Sequence, residues 1–362
     1  MKGSSLADRA KALFGEGGQG FVPAIQGLRG LAALSVVIVH LYAMPYLAGM
    51  VPPSFPEWLH LALVTGGRGV ELFFIISGYL IPASLVRHRL VSKFFYDRAM
   101  RIMPLFVILH LGLFTVGPLV GYKFFPGLDA LGYLRAFLSN LFFVPDLFGD
   151  PIGQQNAWTL TYEWAFYIWF AALFASLRRG LWPVALGLVL LALVIAGLYP
   201  LVTYFGLGML MASAPLRLPL RGWAGLGLGL LSLAAMYYAC EYITPYVGLV
   251  PAAVVFALVL APESGLARLL QTSPLQFVGK VSYSLYLVHP FVLFPLMAVA
   301  RRAYSLGFDA WLIMAAFAAI GAAASLIVAA ISYELVELRL RRWLHARLGG
   351  AHREAAIATA SR

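Results

Sequence analysis

The sequence predicts an all-α protein, a polytopic transmembrane bundle of about ten helical spans with both termini in the cytoplasm. Of its 362 residues, 62% are hydrophobic and only 11% are charged, whereas about 25% of the residues of a soluble domain are charged. Apolar stretches of about 20 residues, the length of a membrane-spanning helix, recur between Pro, Gly and charged clusters. The basic residues gather between these stretches, which is typical of cytoplasmic loops.

The predicted spans are ten apolar stretches, at 28–46, 64–86, 102–121, 158–177, 181–199, 201–214, 223–239, 243–261, 276–298 and 311–333. With the N-terminus inside, all but five of the 26 Lys and Arg face the cytoplasm, the exceptions being Arg68, Lys123, Arg135, Arg301 and Arg302. We therefore expect a cytoplasmic N-terminal arm at 1–24, a membrane domain at 25–343, and a basic cytoplasmic tail at 344–362 that is disordered.

Composition also narrows the class of partner. A net charge of +11 would suggest nucleic acid in a soluble chain, but these cations lie in predicted membrane loops, so no nucleic-acid partner is expected. The single cysteine, Cys240, excludes an internal disulfide and lies in an apolar run, where it is expected to be a small core residue. No metal site is expected, and the surrounding partner is the lipid bilayer.

Arg29 and His40 are eleven residues apart in the first span. At about 100° per residue, eleven steps make about three turns, so both side chains share one helix face, on the order of 16 Å apart. A histidine inside a membrane helix is costly and marks a functional position by default. One helix face therefore carries a cation near the inner surface and a titratable base deep in the membrane.

Three further ionisable residues are predicted at about the depth of His40. Counting from the span ends at about 1.5 Å per residue places Glu71, Glu163 and His289 in the same layer, each on a different helix. A carboxylate beside an imidazole selects its tautomer, which suits the imidazole for taking a proton from a hydroxyl. This pattern favours a transfer reaction, although each residue alone is also explained as a polar contact between helices.

A second polar layer is predicted at the inner ends of the helices. It consists of four basic residues, Arg29, Arg98, Arg101 and Lys280. Lone cations at these positions are usually signals of topology, but a group of them is also suited to clamping phosphates. The two layers together indicate that the substrate that donates the transferred group is anionic and long enough to reach from the inner layer to the deeper one.

At these residues the sequence resembles the acyltransferase 3 family, integral-membrane acyltransferases that include O-acetyltransferases of bacterial surface polysaccharides. The resemblance covers residues 25–337 and rests on five motifs in order: Arg29 ten residues before His40, Glu71-Leu-Phe-Phe-Ile-Ile-Ser-Gly-Tyr79, Arg98-Ala-Met-Arg101 followed by Pro104, Trp158-Thr-Leu-Thr-Tyr-Glu163, and Gly279-Lys-Val-Ser-Tyr-Ser-Leu-Tyr-Leu-Val-His289-Pro290. Two positions depart from the family pattern. Thr159 replaces the usual serine, and Arg339 stands where a proline is common.

The resemblance implies an acyl-CoA donor, usually acetyl-CoA, that enters from the cytoplasm and is not a permanently bound cofactor. It implies a polysaccharide or glycolipid acceptor on the far side of the bacterial inner membrane, with polysaccharide-assembly proteins as possible partners. His40, oriented by Glu71, is then expected to act as general base or as transient acyl carrier. The expected acceptor-side residues are Arg68, Trp158, Tyr162, Glu163, Tyr286 and His289.

A transporter or flippase is the alternative function, because buried histidines and carboxylates also mark proton relays. Such a protein is expected to show internal repeats or paired broken helices, and the sequence shows neither. The sequence leaves open the acceptor and its reacting hydroxyl, the identity of the acyl chain, the choice between direct transfer and an acyl-histidine, and the oligomeric state.

Overall fold

The computed structural model describes residues 22–88, 90–122, 125 and 127–347. Within these ranges the regular secondary structure is helical and contains no β-strand, so the all-α prediction is confirmed. The described chain forms thirteen α-helices: α1 (Pro23–Leu47), α2 (Glu57–Val64), α3 (Gly69–His88), α4 (Val91–Val116), α5 (Ala130–Leu141), α6 (Trp158–Arg178), α7 (Trp182–Leu198), α8 (Thr203–Ser213), α9 (Gly222–Tyr242), α10 (Pro245–Val259), α11 (Gly265–Leu270), α12 (Ser273–Ser305) and α13 (Ala310–Ser332). Most of the predicted N-terminal arm, and the tail from residue 348 onward, lie outside the described residues.

Ten apolar helical segments overlap the ten predicted spans. Seven are long and apolar enough to cross a membrane: Pro23–Leu47, Glu57–Arg87, Val91–Val116, Gln155–Arg178, Gly222–Tyr242, Ser273–Ser305 and Ala310–Arg347. The other three, which include α7 and α10, are shorter apolar helices of 10–17 residues. The protein is therefore built as a multi-pass membrane protein, and the number of complete crossings stays a prediction.

Local sequence signals explain where several helices begin and end. Asp129, Ser264 and Asp309 each accept a hydrogen bond from the backbone N–H three residues later, which caps the first turns of α5, α11 and α13. Gly180 and Gly307 adopt positive φ angles of 70° and 86° just after α6 and α12, where a glycine ends a helix without steric cost.

Helix α1 lies at the centre of the bundle and packs most extensively against α12, with α3, α11 and α13 also in contact. Glycines allow α1 and α12 to approach backbone to backbone. A Cβ atom on Gly279 would lie 2.0 Å from the carbonyl oxygen of Gln26, and one on Gly30 would lie 2.7 Å from the nitrogen of Gly279. Such small-residue contacts are typical of membrane helix pairs, and this one brings the histidines of α1 and α12 together.

The last helix continues beyond α13 as a π-helix at Tyr333–Leu340 and remains helical to Arg347. The wider π-turn places Glu337 against α12, where its Oε1 accepts a hydrogen bond of 2.5 Å from the hydroxyl of Ser284. Arg339, at the position where the family pattern has proline, forms an ion pair with Glu334 at 3.1 Å. Because arginine retains the N–H that proline lacks, the chain stays helical through this position.

The close contact between α1 and α12 makes a testable prediction. Replacing Gly279 with alanine is expected to lower the free energy of unfolding by about 1–3 kcal/mol, because the added methyl group overlaps the backbone of Gln26. Thermal unfolding of the detergent-solubilised protein measures the effect. Gly227→Ala is the matched control, since a Cβ atom there meets nothing within 4 Å, and equal stability of the two variants would contradict the close contact.

Candidate functional site

A cavity of about 100 Å³ lies among α1, α3, α4, α6 and α12. We call it the arginine cavity because three of its four charged lining residues are Arg29, Arg98 and Arg101, and the fourth is Glu163. Its neutral polar lining residues are Ser77, Thr159, Tyr167, Ser282, Tyr283 and Tyr286. Three guanidinium groups against one lining carboxylate make this cavity a site suited to an anion.

Arg98 has one buried donor that faces no acceptor among the described residues. Its Nη2 lies 3.4 Å from the hydroxyl of Ser84, and its guanidinium stands 5.8 Å from the ring centre of Phe94. Its Nε is fully buried and has no hydrogen-bond partner among the described residues. A buried charged donor without a partner is costly, so an anionic acceptor in the cavity would satisfy a group that the protein leaves unpaired.

Glu163 lies in the arginine cavity, which neither His40 nor His289 lines. Its carboxylate accepts a hydrogen bond of 2.9 Å from the hydroxyl of Ser77 and a short one from the hydroxyl of Tyr167. Counting residues gives only the position along one helix axis, whereas the tilt and facing of that helix decide which neighbours a side chain meets. Among the described residues, Glu163 therefore makes no hydrogen bond to either histidine, and the shared depth of the four ionisable groups stays a prediction.

The two groups that do meet are His40 on α1 and His289 on α12, which we call the histidine pair. Their ring centres are 5.0 Å apart, and Nδ1 of His40 lies 3.4 Å from Nε2 of His289. His289 is fully buried, and His40 is half-buried. A direct contact between two imidazoles from facing helices was not predicted from the sequence, which treated them as separate members of one layer.

Hydrogen bonds define the tautomer of each ring. Nδ1 of His40 lies 2.7 Å from the carbonyl oxygen of Val36, which only accepts, so this nitrogen carries the hydrogen. The same reasoning applies to His289, whose Nδ1 lies 2.9 Å from the carbonyl oxygen of Leu285. Nε2 of His40 therefore has a lone pair. That nitrogen has no partner among the described residues and is not fully buried, so it is free to accept a proton.

Glu71 lies elsewhere, in an ion-pair network at the start of α3. Its side chain is 1% exposed and lies 3.4 Å from Arg68, whose Nε donates at 2.8 Å to Glu241 on α9. Among the described residues, no hydrogen bond joins Glu71 to His40. The expected direct orientation of His40 by Glu71 is thus absent from this arrangement, because the nearest cation holds the carboxylate, and a catalytic role for Glu71 stays a prediction.

The remaining predicted residues occupy three different places. Lys280 is exposed, with its ammonium 5.3 Å from the ring centre of Tyr333, and does not line the arginine cavity. Trp158 and Tyr162 pack edge to face at 5.7 Å, and Tyr162 stacks on the cavity residue Phe74 at 5.8 Å. Arg68 belongs to the network of Glu71. Only Tyr286 connects the two centres directly.

Tyr286 separates the arginine cavity from the histidine pair. It lines the cavity together with Phe73, and the two rings pack edge to face with centres 5.7 Å apart. The ring centre of Tyr286 is also 6.4 Å from that of His289. Neither histidine lines the cavity, so Tyr286 is a residue that lines the arginine cavity and also packs near the histidine pair.

Three contributors to these centres were not among the predicted site residues, although Tyr167 and Glu337 stand in the segments compared with the family pattern. Asn156, which is 4% exposed, contacts both His289 and the backbone of Tyr286. Tyr167 holds Glu163, and Glu337 brings a second carboxylate near Arg29 and Arg101. The proline of His289-Pro290 was a usable signal, because a proline inside a helix leaves a carbonyl free for another donor. Among the described residues there is no group of three or more His, Cys, Asp or Glu suited to a metal.

Comparison with known proteins agrees with this architecture. Residues 22–334 match the family model of an acyltransferase domain, acyltransferase 3. The chain is 33% identical to the exopolysaccharide production protein ExoZ of Rhizobium meliloti, over 68% of this chain and 81% of ExoZ. It is 27% identical to the acyltransferase MdmB of Streptomyces mycarofaciens, over 74% of this chain and 78% of MdmB.

A third relative is longer. The peptidoglycan O-acetyltransferase OatA of Listeria monocytogenes is 25% identical over 89% of this chain, and the match covers 56% of OatA, so the chain spans little more than half of that protein. No solved structure matches the chain. The family match extends over most of the sequence and covers both the arginine cavity and the histidine pair, and the chain therefore belongs to the acyltransferase 3 family of membrane acyltransferases.

Proposed function

We propose that this protein is an O-acyltransferase of the bacterial inner membrane. It moves an acetyl group from cytoplasmic acetyl-CoA to a hydroxyl of an extracytoplasmic glycan or glycolipid. The observation that carries the proposal is the closeness of a cation-lined cavity to the histidine pair: Tyr286 lines the cavity and lies 6.4 Å from His289, which contacts His40, whose Nε2 is free. The names of two relatives, a peptidoglycan O-acetyltransferase and an exopolysaccharide production protein, support a glycan acceptor.

The arginine cavity is proposed to hold the anionic part of the donor. Arginine binds phosphate through paired N–H donors, and buried charge-assisted hydrogen bonds of this kind are among the stronger polar contacts. Arg29 lies on α1, whereas Arg98 and Arg101 lie on α4. Side chains from two helices would therefore contact the anionic part of the donor. Lys280 is exposed outside the cavity, and it is proposed to contribute only as a cation at the entrance.

His40 is proposed to act at the thioester carbonyl. As general base, its Nε2 takes the hydrogen of the acceptor hydroxyl while that oxygen forms a bond to the carbonyl carbon. The carbon–sulfur bond then breaks, and the departing thiolate takes the proton back from Nε2. In the second route Nε2 itself bonds to the carbonyl carbon as the carbon–sulfur bond breaks and the thiolate leaves. The hydroxyl oxygen then bonds to that carbon as the bond to Nε2 breaks, and the hydroxyl proton passes to the thiolate, so that the neutral imidazole is restored.

The donor must reach His40 past Phe73 and Tyr286. Because their rings are in contact across the end of the cavity, the two side chains are proposed to separate when the thioester enters. Their contact lies beside the cavity, and Tyr286 also packs near His289, the neighbour of His40. Trp158 and Tyr162 offer aromatic faces next to this region for the acceptor sugar, and polysaccharide-assembly proteins are proposed as suppliers of the acceptor.

The proposal is tested with purified protein, radiolabelled acetyl-CoA and glycan fractions from the host. We expect label to enter one fraction as an ester that mild alkali releases, with free CoA formed in equal amount. Protein omitted and acetyl-CoA replaced by labelled acetate are the two controls. Because the acceptor is included as a mixture, fractionation of the labelled product then identifies it by mass spectrometry.

The alternative function, a proton-coupled transporter or flippase, predicts a different result. Such a protein moves a polysaccharide precursor across a vesicle membrane in response to a proton gradient and forms no ester. Glycan translocation without consumption of acetyl-CoA would therefore contradict the proposed acyltransferase. Ester formation that continues when the gradient is collapsed supports it.

A further inference from the structure

We infer that His289 and Asn156 are positioning residues for His40, which together hold its imidazole with the hydrogen on Nδ1 and the lone pair on Nε2. The inference rests on the proposed function of His40, and it assigns the orienting role to an imidazole on α12 and an amide before α6. Neither residue touches the reacting atoms. Both act through the ring that does.

The arrangement begins at Pro290 in the middle of α12. A proline has no N–H, so the carbonyl oxygen four residues earlier, that of Tyr286, loses its partner within the helix. The amide of Asn156 replaces it, with Nδ2 donating to the carbonyl oxygen of Tyr286 at 2.7 Å. Because a carbonyl only accepts, this contact also fixes which end of the Asn156 side chain is the amide nitrogen.

The same amide nitrogen faces His289. Nδ2 of Asn156 lies 3.2 Å from Nε2 of His289, so this ring nitrogen must be the acceptor. The opposite nitrogen, Nδ1, donates to the carbonyl oxygen of Leu285 at 2.9 Å. Two independent contacts therefore require the same tautomer of His289, with its lone pair on Nε2.

Nε2 of His289 shares this lone pair between Asn156 and His40, and its contact with His40 is the longer of the two. Nδ1 of His40 shares its hydrogen between the carbonyl oxygen of Val36 at 2.7 Å and Nε2 of His289 at 3.4 Å. Two acceptors on one N–H favour the tautomer that leaves Nε2 of His40 free. When Nε2 takes a proton, the resulting imidazolium is stabilised by the same two acceptors, the role that a carboxylate plays beside the histidine of a serine hydrolase.

Burial of His289 and Asn156 fixes the orientation of the His289 ring. His289 is 0% exposed and Asn156 is 4% exposed, so water does not compete for their hydrogen bonds. A buried polar group that loses its partner is costly, and a ring flip of His289 would take its Nδ1 and Nε2 away from Leu285 and Asn156. His40 therefore meets an acceptor at a fixed position, held from a neighbouring helix.

Kinetics of two His289 variants test the inference. His289→Leu is expected to lower kcat on the order of 10²-fold, because misplacement of a catalytic group has effects of this size. His289→Gln is expected to recover most of that loss, since its Oε1 offers an acceptor near the position of Nε2. KM for acetyl-CoA should stay unchanged in both, because the arginine cavity is untouched. His110→Leu, which removes another fully buried histidine that bonds to Phe137 and does not line the arginine cavity, is the control and should keep wild-type kcat.

The tautomer itself is measured by nitrogen NMR on protein with isotope-labelled histidine, with the His40 signals identified by their loss in His40→Ala. We expect Nδ1 protonated and Nε2 unprotonated in the wild type. His289→Leu and Asn156→Ala should shift the signals toward a mixture of the two tautomers. This readout needs no turnover, and a merely structural role for His289 would not change it.

Two results would overturn the inference: a wild-type His40 with its hydrogen on Nε2, or an equal loss of kcat in His289→Leu and His289→Gln with the His40 tautomer unchanged. A different result concerns the proposed function alone. If His40→Ala retained full activity, His40 would not be the base, while the tautomer measurement would still report whether His289 and Asn156 orient its ring.

Discussion

Replacing His40 with alanine is expected to lower the rate of acetyl transfer by about 10²- to 10⁴-fold, the range that a general base contributes. The variant removes the one imidazole nitrogen of the histidine pair that has a lone pair and no partner among the described residues. Binding of acetyl-CoA should remain, because His40 does not line the arginine cavity. The rate is measured as alkali-labile label on the glycan, and affinity is measured separately.

His60→Ala is the matched control for this variant. His60 lies on α2 and hydrogen-bonds to the hydroxyl of Tyr42 at 2.6 Å, so it is a second histidine near the same end of α1 but outside the proposed site. It should retain wild-type transfer. Normal transfer by a properly folded His40→Ala variant would refute the role of His40, whether as base or as acyl carrier.

The second large effect is expected for Arg98→Ala, which should weaken binding of the donor acetyl-CoA. Truncation of one partner of a buried charge pair costs about 2–5 kcal/mol, which corresponds to a rise in Kd of about 30-fold or more. Arg98→Ala should therefore bind acetyl-CoA weakly, because its buried Nε and its guanidinium charge are both lost from the cavity. Equilibrium binding of labelled acetyl-CoA to the purified protein measures this.

Arg268→Ala removes the same charge from an exposed position on α11 and is the control for a general effect of net charge. It should bind acetyl-CoA with wild-type affinity. Arg101→Ala, a second cavity variant, should weaken binding as Arg98→Ala does. Unchanged affinity for acetyl-CoA in both cavity variants, with normal thermal unfolding, would contradict the proposed donor site. It would indicate that these arginines only determine membrane topology.

Much of this protein was predictable because its signals are local. The ten apolar stretches, the family motifs and the position of Arg29 and His40 on one helix all follow from order and spacing along the chain. The cavity that contains Arg29 also contains Arg98 and Arg101, as expected for a group at neighbouring helix ends. Lys280 was grouped with them by depth alone, but its side chain extends to the exposed surface beside Tyr333.

The partners of the ionisable groups were not predictable in the same way. Glu71 was paired with His40 because both lie at a similar depth, yet Arg68, three residues earlier on the chain, holds it. His289 was expected to contact the acceptor, yet it contacts His40. Depth along a helix comes from counting residues, whereas the direction of a side chain relative to other helices depends on their tilt and rotation.

The amino-acid order by itself determined that the chain is a helical membrane protein of this family, because hydropathy and motif spacing are properties of single segments. Only the tertiary structure decided which buried groups meet. The backbone contact of Gly30 and Gly279 sets α1 against α12, and that contact brings two imidazoles together while Glu71 and Glu163 find other partners. The packing of two helices depends on the surfaces of both, so it does not follow from the sequence of either segment alone.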